Sequence, residues 1–161
     1  MLIFSILVLA LNWISVWLEA NLLLSLSRTL NIIFFLFVVI SLIRQVAKAK
    51  TVSAKVILEA INGYVLVGMI FAMIVAIIAQ TDPGSFNFHS VDVDTRIIAA
   101  NFNEDLYFAF ITMATVGYGD MLPLSQVARS FATFIGISGQ LYIAIIIAML
   151  VGKFAAQQQQ D

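Results

Sequence analysis

Four stretches of this chain are apolar for long enough to cross a lipid bilayer, which limits the fold before any motif is read. A hydrocarbon core about 30 Å thick takes roughly 17–25 apolar residues as helix, and the runs 2–18, 22–43, 56–79 and 124–152 qualify. Of 161 residues, 62% are hydrophobic and 11% charged, against about 45–50% and about 25% in ordinary globular chains. A soluble domain of this length could not hide so much apolar surface, so the expected class is an all-α membrane protein. A net charge of −1 gives no basic face for neutralising phosphates, which argues against nucleic acid as a partner. The absence of cysteine removes disulfides, thiolate metal sites and cysteine nucleophiles together. No HExxH, Ser/His/Asp or phosphate-loop pattern appears, so the chain does not read as an enzyme and calls for no cofactor.

Charge sets the expected orientation. Positive residues in short connections stay on the cytoplasmic side, and Arg44, Lys48, Lys50 and Lys55 crowd the linker 44–55 while Lys153 follows the last run. Both regions are therefore expected inside, and the loop 80–103, with Asp82, Asp92 and Asp94, outside. Four spans would put both termini in the cytoplasm of a multi-pass cell-membrane protein. Residues 1–43 form two N-terminal spans joined by a very short hairpin. Arg28 lies about 10 Å into the second at 1.5 Å per residue, so either it snorkels to the interface or that span is short. Trp13 and Trp17 suit an interfacial belt or lipid-facing bulk. Glu59 and Lys55 are spaced for a helical ion pair, His89 reads as a lone loop residue, and 155–161 reads as a polar tail.

Between the last two runs lies a segment too short to span and too apolar for an ordinary loop. Asn103 suits a helix N-cap, with Glu104 and Asp105 in the first turn, so a helix is expected over 104–114. Thr115-Val116-Gly117-Tyr118-Gly119-Asp120 follows, then Pro123, suited to the first turn of a new helix. This is a re-entrant loop. Non-helical backbone at membrane depth needs partners for its carbonyls, and cations can be those partners. Gly117 and Gly119 allow positive φ at alternate positions, so successive carbonyls can turn to one side, with Val116 and Tyr118 packing backward into surrounding helices. Four copies around an axis would stack rings of oxygen from Thr115, Val116, Gly117 and Tyr118, able to replace the water shell of potassium.

The run TMATVGYGD at 112–120 resembles the signature of tetrameric potassium channels, and the flanking 105–123 and 139–154 look like the pore module of bacterial members. The resemblance covers roughly residues 56–154 and none of the first two spans. It implies a homotetramer in the bilayer, each subunit giving four transmembrane helices plus a re-entrant pore helix (104–114) and a filter (115–119), between outer helix 56–79 and inner helix 124–152. Thr115, Val116, Gly117, Tyr118 and Gly119 would be the filter, with K+ as permeant ligand at the first four. Asp120 would stand at the outer mouth and hydrogen-bond toward Tyr107, where many relatives have tryptophan; its other reading is a turn residue. Tyr107, Phe108 and Tyr118 would form an aromatic cuff. Ile111 departs from members with a carboxylate there, which puts filter inactivation through paired carboxyls in doubt.

Gly136 and Gly139 could let the inner helix bend or pack closely, and Met149, Val151 and Phe154 are candidates for a hydrophobic constriction. Arg28 and Arg44 do not make the arginine series that a voltage sensor needs. The polar tail leaves no room for a sensing domain up to residue 161, so either the pore gates itself or a cytosolic domain or partner lies beyond. The expected function is passive, potassium-selective conduction. Two alternatives stay open: a weakly selective cation channel, and a non-conducting helical subunit partnering another complex.

Overall fold

The computed structural model describes residues 21–49, 51–88 and 98–158. The first apolar run and residues His89, Asp92, Asp94 and Arg96 lie outside them. The described residues form four helices: α1 (Asn21–Lys48), α2 (Ala54–Thr81), α3 (Ile98–Met113) and α4 (Gln126–Gln158). Three of these, α1 over Thr29–Lys48, α2 and α4, are long and apolar enough to cross a membrane. At 1.5 Å per residue α2 is about 42 Å long and α4 about 50 Å, so both exceed the hydrocarbon thickness and carry their ends beyond it.

Each helix outruns its apolar stretch, for local reasons. Arg44–Lys48 continues α1, because nothing there breaks a helix and cations suit a C-terminal turn; the linker expected over 44–55 shrinks to 49–53. Lys55 opens α2 and approaches Glu59 at 3.9 Å, as their spacing implied. The helix expected from residue 104 begins at Ile98, so Asn103 lies inside α3 instead of capping it; Ala99 and Ala100 are strong helix formers ahead of it. Pro123 does not enter the last helix but pairs with Phe86 in an antiparallel bridge. Ser125 is the cap instead, its Oγ accepting from the Ala128 amide at 3.2 Å. At the far end Ala155–Gln158 continues α4 where a polar tail was expected.

Lipid offers helices no hydrophobic drive to associate, so close packing and small residues must hold them together. The short helix α3 is wedged between α2 and α4. Phe71, Ala72 and Val75 of α2, Phe86 beyond it, Phe108, Ala109 and Met113 of α3, and Ala128 and Ile135 of α4 form one buried cluster. Two glycines admit the wedge. A Cβ on Gly68 would stand 2.5 Å from the Phe110 ring, and one on Gly139 would stand 2.3 Å from the Met113 carbonyl oxygen. A second cluster at the opposite end joins Val46 of α1, Val56 and Ala60 of α2 and Ile146 of α4. Much apolar surface remains outward, including Phe37, Leu58, Val127, Ile137 and Val151.

Candidate functional site: the loop after α3

The end of α3 and the start of the loop share their hydrogen bonds. The Val116 amide donates to the Ile111 carbonyl at 2.8 Å and the Thr115 amide to the Thr112 carbonyl at 3.0 Å. That pair of bonds, spanning six and four residues, is the Schellman arrangement that ends many helices, and its turning residue is normally glycine. Here the turning residue is Thr115, at φ +57°. A left-handed β-branched residue costs about 1–2 kcal/mol, and strain of this kind collects at functional segments. The Gly117 amide also donates to Ile111, at 3.3 Å. Three consecutive amides are thus drawn back onto α3.

Positive φ then recurs at Gly117 (+52°) and Gly119 (+82°), leaving Val116 and Tyr118 on the negative side. Handedness alternates residue by residue from 115 to 119. Such alternation swings successive peptide planes the same way, whereas a β-strand points them to opposite sides. Among the described residues none donates a hydrogen bond to the carbonyls of Thr115–Gly119, and all five residues are exposed. A row of unpaired carbonyls on a chain built of membrane-length helices needs partners from elsewhere.

Supports hold both ends of the row. At the Gly119 end the Tyr107 hydroxyl donates to Asp120 Oδ2 at 2.7 Å, the contact the resemblance implied. That bond, followed by a smaller desolvation and the Asp120 charge, raises the phenol above its ordinary value and keeps it a donor. Beyond Asp120 the chain is moored to the segment after α2. The Asn87 amide donates to the Leu122 carbonyl at 3.1 Å, Leu122 donates to Asn87 Oδ1 at 2.7 Å, and Leu124 donates to the Ser85 carbonyl at 2.7 Å. At the inner end Met113 rests on Gly139.

Other expected site residues fall elsewhere. Phe108 is buried against Phe86, ring centroids 5.0 Å apart, and takes no place beside Tyr118. Tyr118 is 73% exposed and Val116 49% exposed, so among the described residues of one chain neither is covered by the surrounding helices expected behind them. Gly136 and Gly139 lie in a continuous α4. Gly139 is a packing contact, and Gly136 has only the Thr112 carbonyl, 3.8 Å from where its Cβ would be. Met149 packs against the second cluster, and Phe154 is exposed. Residues 98–103 extend α3 ahead of Asp105, which is buried, with Oδ1 unpartnered among the described residues. Burial first, and Glu104 second, push its carboxyl up to about 7. No group of three or more His, Cys, Asp or Glu side chains able to hold a metal occurs among the described residues.

Sequence reading missed three features. The left-handed Thr115 had no glycine to announce it; the Ser125 cap was legible as serine before an apolar run; the 85–87 mooring carried no local signal.

Comparison with known proteins agrees with this geometry. Residues 85–156 match the family described as Ion channel. The A-type voltage-gated potassium channel KCND3 of Rattus norvegicus, Homo sapiens and Mus musculus is in each case 33% identical over 55 residues, covering 34% of this chain. The match takes in 8% of the length of those relatives. No solved structure gives a significant match.

Proposed function

We propose, from the match of residues 85–156 to the family described as Ion channel and the likeness to a potassium channel over 55 residues, that the chain is a pore-loop potassium channel in which four copies surround an axis and pass potassium ions selectively down their electrochemical gradient. The observation that carries this reading is the alternation of handedness at Thr115, Gly117 and Gly119, with no described residue donating to a carbonyl from 115 to 119. Four such rows facing one another supply rings of oxygen in place of an ion's hydration shell. Val116 and Tyr118, exposed in one chain, pack against neighbouring subunits. The strain at Thr115 is held by the two Schellman bonds, so the ion meets a ligand set already ordered. Asp120, at the outer mouth, adds four negative charges that concentrate cations at low salt.

The basic residues support one orientation. Arg44 and Lys48 end α1, Lys55 begins α2, and Lys153 reaches the end of α1; positive residues so grouped favour the cytoplasm. The filter, at the other end of α4, then faces outward. Permeation needs no covalent step, and this chain's part is to hold oxygen atoms at fixed radius.

The experiment is a reversal-potential measurement in liposomes holding potassium on one side and sodium on the other. The reading expects a strong preference for potassium in the wild type. Gly119→Asp or Tyr118→Asp should weaken that preference much more than it lowers the yield of folded protein. Equal permeability for the two ions would refute selectivity, and equal loss of yield and flux in the variants would make these residues structural.

A further inference from the structure

We propose that Lys153 and Gln157 tie the cytoplasmic end of α4 to the end of α1, so that α1 holds the inner end of the pore-lining helix in place. The Lys153 ammonium donates to the carbonyls of Val46 and of Ala47, the latter at 2.8 Å. One turn further along α4, Gln157 Oε1 accepts from the Val52 amide in the linker at 3.3 Å. Val46 and Ala47 belong to the last turn of α1, whose carbonyls have no helical amide left to pair with, and where the helix carries partial negative charge. A cation from another helix therefore caps α1. Charge-assisted bonds of this kind are roughly twice as strong as neutral ones.

Packing makes the tie specific. The fully buried Val46 sits with Val56, Ala60 and Ile146, and Tyr142, Met149 and Leu150 close round that cluster. Ile146, Met149, Leu150, Lys153 and Gln157 recur at three- and four-residue steps, so they share one stripe of α4. Val151 (61% exposed) lies off that stripe, and Phe154 (53% exposed) lies at its edge, one turn beyond Leu150. Fixing the stripe against α1 and α2 fixes those two apolar side chains away from them. In a fourfold assembly they face the ion path, where a ring of apolar groups gates by excluding water. The tied state is thus the constricted one, and α1 acts as its anchor. This inference rests on the reading of α4 as pore-lining.

The test compares Lys153→Met, Lys153→Arg and Gln157→Ala with the wild type in two measurements: potassium flux into liposomes, and hydrogen exchange of the Val52 amide. Met keeps the length of the side chain and loses the donors. It should raise steady-state flux at least threefold with the potassium-to-sodium ratio unchanged, and speed Val52 exchange at least tenfold. Arg, still a donor to carbonyls, should behave as wild type, whereas Gln157→Ala, which deletes the acceptor of the Val52 amide, should speed Val52 exchange at least as much as Met and raise flux by less. Unchanged or lower flux in Lys153→Met against a conducting wild type overturns the proposal, as does unchanged Val52 exchange. A wild type that conducts no potassium refutes the pore reading separately, and the exchange comparison still decides the tie.

Discussion

At the scale of single residues, two side chains of α3, Tyr107 and Asp105, can be tested separately. Tyr107 of α3 donates through its hydroxyl to Asp120, just beyond Gly119, at 2.7 Å. Tyr107→Phe keeps the ring and deletes that bond, so the outer end of the row loses its tether; steady-state potassium flux should fall several-fold in liposomes, and Asp120→Asn, which keeps an acceptor oxygen, should lose less. Flux equal to wild type in both variants would remove Asp120 from the filter's support. Asp105 makes a different prediction. Its carboxyl is raised to about 7, so the folded chain holds that proton more tightly than the unfolded chain, and stability present at pH 4 is lost as pH rises toward 7. Asp105→Asn should flatten that slope in thermal unfolding and leave the variant more stable than wild type at pH 8. A slope identical in the two proteins would contradict the burial argument.

Helices act on the site through close approach. Gly139→Ala places a methyl group 2.3 Å from the Met113 carbonyl oxygen, whereas Gly136→Ala finds its nearest atom at 3.8 Å. Overpacking costs about 1–3 kcal/mol, and here it would push the end of α3 and with it the start of the filter. Gly139→Ala should therefore lower the potassium-to-sodium ratio, and Gly136→Ala should leave it near wild type; the same liposomes read both. These contacts also show what sequence could and could not carry. Three membrane-length helices were legible because a long apolar run has few other fates, and the re-entrant loop because two glycines alternate beside Thr115. Helix ends were not, since the residues flanking each run are themselves good helix formers. Phe108 could not be placed, because an aromatic residue beside a filter motif reads equally as cuff or core, and only Phe86, distant in sequence, decides. Asp105 read as a first-turn acid until the helix proved to begin at Ile98.

At the scale of the whole molecule, the proposed ring accounts for what one chain leaves open. Among the described residues, a single chain leaves Tyr118 and Val116 exposed, the five carbonyls of 115–119 without a donor and long apolar faces open, a combination that four copies would resolve at once. The most direct measurement is an anomalous-scattering map of the assembled protein with thallium in place of potassium. The account predicts a row of peaks on a fourfold axis, level with the carbonyls of Thr115, Val116, Gly117 and Tyr118. An axis without peaks, or those carbonyls turned away from it, would contradict the account.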